Sequence, residues 1–120
     1  RVHVLIELGT RLSIGRLVAK FKMHTRRRLP ADTAWQRNFH EHRLRPDEPA
    51  NDVARYIFLN PYRKRLIPPD KSWPLWLLGP RADVDFLHQL NSMGCPPRQW
   101  LDEPVPSFLS SLGSRRGSVC

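Results

Sequence analysis

Twelve prolines in 120 residues constrain this chain more than any other feature. Each proline removes a backbone donor and fixes its own φ near −65°, so it is excluded from a central strand and breaks or bends a helix interior. Residues 1–29, 31–45 and 50–60 are free of them, whereas Pro61, Pro68-Pro69, Trp73-Pro74, Gly79-Pro80, Pro96-Pro97 and Pro104-Val105-Pro106 punctuate the second half. Regular structure is therefore expected mainly before Pro61, with a looser, tryptophan-bearing segment packed on the domain after it.

Within the open windows the patterns are distinct. Val2-His3-Val4-Leu5-Ile6 begins an apolar, β-branched run over residues 2–8, which predicts a buried strand with one histidine embedded in it. This strand opens the sequence so abruptly that the front of a domain is expected to be missing. Ser13 can cap a helix over 13–25 in which Ile14, Leu17, Val18 and Phe21 recur at i, i+3, i+4 and i+7. A second strand is predicted over 34–45, with Trp35 and Phe39 on one side. Asp47 then caps a helix over 47–60 with Pro49 in its first turn. A short helix over 83–91 is expected from Val84, Leu87 and Leu90, and residues 110–120 read as a Ser-, Gly- and Arg-rich mobile tail.

Charge is concentrated at one end. The formal net charge is +9, and residues 1–45 hold 11 Lys or Arg against 3 Asp or Glu while residues 46–120 hold 9 against 8. Arg26, Arg27 and Arg28 in a row, with Arg16, Lys20 and Lys22 on the polar face of the first helix, are the footprint of a phosphate-backbone binder. A solvated basic surface is the plainer alternative. No run reaches the roughly 18 apolar residues of a membrane span, so no membrane partner is expected and the chain reads as soluble and cytoplasmic. Cys95 and Cys120 are too few and too far apart for a zinc site or a disulfide framework.

Tyr56-Ile57-Phe58-Leu59-Asn60-Pro61 is the motif with the most chemistry in it. At about 1.5 Å rise and about 100° per residue, positions 56 and 60 lie roughly 6 Å apart on one helical face. A nucleophilic phenol and an amide ligand could share that face. Read alone, Tyr56 is as well explained as a core aromatic, Asn60-Pro61 as a helix stop and His3 as a core histidine. His40 and His42 would share a strand face across Glu41, and read as surface or DNA-facing histidines rather than a metal pair.

Taken in order, Val2-His3-Val4-Leu5-Ile6, Trp35-Gln36-Arg37-Asn38-Phe39-His40-Glu41-His42, Tyr56-Ile57-Phe58-Leu59-Asn60-Pro61 and Ser72-Trp73-Pro74 resemble the REP-associated tyrosine transposases of the HUH superfamily of single-strand nucleases. The resemblance covers residues 1–78, leaving 79–109 as a loop-rich extension and 110–120 as the tail. It implies an α+β fold: a partial ferredoxin-like HUH-type antiparallel sheet, the strands at 2–8 and 34–45 side by side and the helices on one face. It further implies Tyr56 as catalytic nucleophile, His3 and Asn60 as ligands of a divalent Mg²⁺ or Mn²⁺ ion, and single-stranded or hairpin DNA as partner. The phenol oxygen would attack a DNA phosphate, leaving a 5′-phosphotyrosyl link and a free 3′-hydroxyl. Arg1 stands where the first histidine of the metal pair belongs, and its guanidinium offers no acceptor. The alternative function is therefore a catalytically impaired fragment that binds single-stranded nucleic acid without cleaving it. A basic RNA-associated protein fits the composition but not the motifs. A truncated sheet would also leave an exposed edge on which a homodimer could form.

Overall fold

The computed structural model describes residues 2–113, in two compact units divided between residues 41 and 42. The first unit contains one helix, α1 (Ile14–Arg26). The second contains α2 (Ala50–Arg63), a 3-10 turn at Asp85–Gln89, α3 (Gln99–Asp102) and α4 (Ser107–Gly113). No described residue is in a β-strand. The expected α+β fold with a ferredoxin-like antiparallel sheet is thus replaced by a helical one.

Side chains of α1 explain what becomes of the second expected strand. The Lys22 ammonium donates to the carbonyls of Gln36 (2.5 Å) and Arg37 (3.4 Å), two acceptors that a neighbouring strand would otherwise have to satisfy. The Trp35 indole N–H donates to the Thr25 hydroxyl at 2.9 Å, and its ring lies 5.4 Å from that of Phe21. Trp35 therefore packs on the helix rather than across a sheet. The first expected strand, at 2–8, has no ladder partner, and Val4, Leu5, Ile6 and Leu8 are all exposed. β-Propensity describes fit to a pleated, half-buried surface, and no such surface forms here. Helix α1 itself forms where the periodicity places it, with the Ser13 hydroxyl accepting from the Arg16 N–H at 3.4 Å.

Every buried hydrophobic residue described belongs to the second unit. Its core is built by Ala54, Phe58, Leu59 and Tyr62 of α2 together with Phe86 and Trp100, and Trp73 and Trp76 pack against it. The proline-rich segment thus does lie on the domain, and residues of the expected extension, Phe86, Trp100 and Leu109, are among the most buried. The tail expected from residue 110 is helical to Gly113; its remainder, with Cys120, lies outside the described residues.

Both ends of α2 differ from the sequence expectation. At the front, Asp47 does not cap it; Pro49 is the cap residue and makes no side-chain bond. Glu48 instead is 7% exposed and organises the approach. One carboxylate oxygen accepts from the Arg45 backbone N–H (2.9 Å) and meets the His42 ring nitrogen (2.8 Å), and the other accepts from the Arg45 guanidinium (3.2 Å). His42 is therefore an intramolecular partner of Glu48 rather than a free DNA-facing group.

The Arg45 backbone N–H, then His42, hold the Glu48 carboxyl below its usual value of 4.5. A depressed folded pKa adds stability that is present above the unfolded pKa and lost as pH falls through the folded one. Glu48→Gln is expected to lower the melting temperature near about pH 7, with the deficit closing in acid below about pH 4 as the wild-type carboxylate protonates. Melting curves by circular dichroism at the two pH values check this, and a deficit independent of pH would contradict it.

At the back, α2 passes straight through Asn60-Pro61 and ends at Arg63. Pro61 forfeits only its own bond to Ile57, and the residues after it form a complete C-terminal cap. The Leu66 N–H donates to the Pro61 carbonyl and the Arg65 N–H to that of Tyr62, both at 2.9 Å, the paired bonds of a Schellman motif. Arg65 takes the left-handed position usually given to glycine, with φ 55°. The chain then returns so that the Tyr62 hydroxyl donates to the Lys71 carbonyl at 3.0 Å and accepts from the Trp73 N–H at 3.1 Å. Burial, opposed by the Trp73 bond, pushes the Tyr62 phenol above its usual value.

Candidate functional site

The cationic group lies in the first unit. At about 100° per residue, Arg16, Lys20 and Arg27 fall within an arc of about 40° on α1 and its continuation, opposite Val18, with Arg26 about 80° to one side. Arg16, Lys20, Arg26, Arg27 and Arg28 are exposed, and among the described residues none of them forms an ion pair. Lys22 is different, because its ammonium is engaged with the Gln36 and Arg37 carbonyls. Of the six side chains singled out in the sequence, five thus have their cationic ends unengaged among the described residues, while Lys22 keeps its charge but is held by two carbonyls.

The tyrosine lies in the second unit. Tyr56 is half-buried on α2 and Asn60, one turn on, is buried to 8% exposure. Seven residues beyond Tyr56 on the same face, the Arg63 guanidinium sits 5.8 Å from the centre of its ring. Arg63 also donates to the Trp100 carbonyl at 3.3 Å. The Arg55 guanidinium covers the Trp100 ring at 4.2 Å and forms an ion pair with Glu103. Two arginines, one carboxylate and two aromatic rings are therefore gathered where α2 meets α3. Burial draws the Arg63 guanidinium below its usual value, Arg55 adds to that, and Tyr56 and Glu103 oppose it.

Sequence reasoning missed Arg63, Arg55, Trp100 and Glu103. Arg63 was accessible in principle, being two helical turns from Tyr56, but only to a reading that carried the helix past Pro61. Trp100 and Glu103 are distant in sequence and carry no local signal.

Of the ligands expected for Mg²⁺ or Mn²⁺, Asn60 lies on α2 one turn from Tyr56 and His3 lies in the non-helical segment before α1. Arg1 lies outside the described residues, and among the described residues no group of three or more His, Cys, Asp or Glu could hold a metal ion. No helix among the described residues is long and apolar enough to cross a membrane. In comparisons with protein-family models, with curated proteins and with solved structures, the chain finds no significant match.

Proposed function

We propose that this chain binds single-stranded or hairpin DNA through the cationic face of its first unit. The observation that carries this reading is the set Arg16, Lys20, Arg26, Arg27 and Arg28, exposed and without ion pairs among the described residues, on one helix and its immediate continuation. Arginines presented without carboxylate partners can exchange counterions for phosphates, which is the main source of affinity in non-specific nucleic-acid binding. The transposase resemblance supplies the further proposal that Tyr56 attacks a bound strand. The binding-only alternative needs the cationic face and no reaction at Tyr56.

Salt dependence tests the binding step. Affinity for a labelled single-stranded or hairpin oligonucleotide is expected to fall steeply with salt, with a log–log slope of about 0.7 per phosphate contact. Replacing Arg26, Arg27 and Arg28 together by glutamine should flatten that slope by about two units. Lys22→Gln should instead destabilise the first unit, by releasing residues 36 and 37, with little effect on the slope. Slopes unchanged in the triple variant would reduce the patch to solvated surface.

A further inference from the structure

The cationic group that the structure sets against Tyr56 is Arg63, and the proposal of strand cleavage makes no use of it. Its guanidinium lies over the Tyr56 ring, tied to α3 through the Trp100 carbonyl. Among the described residues, the charged groups acting on Arg63 are Arg55 of the same helix and Glu103 after α3, which are themselves ion-paired. Glu103 pairs with Arg55 and acts on Arg63 only at longer range, so the group of Arg55, Arg63 and Glu103 retains one net positive charge.

We propose that Arg63 is a positioning residue for Tyr56, holding its ring on the α2 face and favouring its phenolate over its phenol. This rests on the reading of Tyr56 as a nucleophile for a DNA phosphate, and deepens it by naming the group that readies the oxygen. The direction comes from reciprocity. If ionised Tyr56 favours the charged form of Arg63, charged Arg63 must favour ionised Tyr56 by the same free energy. A phenol with a reference pKa of about 10 is almost wholly protonated at neutral pH, so each unit of depression raises the reactive fraction about tenfold. Attack forms the bond from phenolate oxygen to phosphorus and breaks the bond to the 3′ oxygen, which leaves as the hydroxyl after taking a proton from water.

Carbon-13 labelling at the ζ position of tyrosine tests the coupling without requiring activity. The chain has two tyrosines, so the spectrum has two such resonances, and Tyr56→Phe assigns them. Titrating the full chain, Arg63→Gln is expected to raise the midpoint of Tyr56 by about one unit, the order expected for loss of a nearby unit charge in a partly screened site. Arg63→Lys should recover at least half of the shift, and the Tyr62 midpoint should stay where it is. Glu103→Gln, at a largely exposed carboxylate, should move Tyr56 the other way by a few tenths of a unit. An unmoved Tyr56 midpoint in Arg63→Gln overturns the proposal; should that variant fail to fold, an unmoved or raised midpoint in Glu103→Gln does so. Wild-type chain that forms no DNA adduct yet shows both shifts supports the coupling and overturns the cleavage reading alone.

Discussion

Phe58→Ala is expected to destabilise the second unit by about 3–5 kcal/mol. Phe58 is 3% exposed, and its ring lies 5.2 Å from Trp76 in an edge-to-face arrangement, 5.5 Å from Phe86 and 5.8 Å from Tyr62. Truncation removes three aromatic contacts and leaves a void walled by rings anchored in three separate stretches of chain, so little of it can close. Whole-domain stabilities are typically about 5–15 kcal/mol, so a loss of this size takes a large share of the total. Urea unfolding followed by tryptophan fluorescence measures it. Leu77→Ala is the matched control: Leu77 is 88% exposed, and its loss should stay within about 0.5 kcal/mol. A Phe58→Ala midpoint within error of that control would show that the aromatic cluster does not hold this unit together.

Tyr56→Phe carries the second large effect. If the proposed cleavage occurs, wild-type chain incubated with a labelled single strand and Mg²⁺ or Mn²⁺ should acquire covalent label, and the phenylalanine variant should lose it by several orders of magnitude, because only the nucleophilic oxygen is removed. Oligonucleotide affinity should be unchanged, since the proposed phosphate contacts lie in the first unit. Denaturing gels resolve the adduct, and its persistence in the variant would exclude this tyrosine as the nucleophile. Absence of adduct from both forms, with salt-sensitive binding retained, is the result the binding-only alternative requires.

The parts of the fold legible in the sequence are those decided within a few residues. Ser13 succeeded by Ile14, Leu17, Val18 and Phe21 specifies α1 by a cap and a period, and both act locally. The middle of α2 is legible for the same reason. Its end is not, because the penalty at Pro61 is offset by bonds made beyond it, by Leu66 and Arg65 to carbonyls of the last turn. Residues 2–8 and 34–45 have strand-forming composition, but a strand exists only with a partner, and for Gln36 and Arg37 the partner is a lysine side chain. The site divides in the same way. Tyr56 and Asn60 do share one helix, as their spacing predicts, yet the group over the Tyr56 ring comes from the turn the expected helix lacked. The Trp100 carbonyl that holds Arg63 is 37 residues away, beyond the reach of any periodic pattern.

The hydroxyl of Tyr62 stands in for a strand. It meets the Lys71 carbonyl and the Trp73 N–H, an acceptor and a donor two residues apart, as one residue of a parallel β-ladder does with both groups of its peptide backbone. One phenol oxygen therefore does inside the core what a neighbouring strand would do in a sheet. The stretch around Ser72 thus has its inward-facing backbone groups satisfied by a side chain of α2, and Tyr62→Phe would leave an acceptor and a donor without a partner against a buried ring.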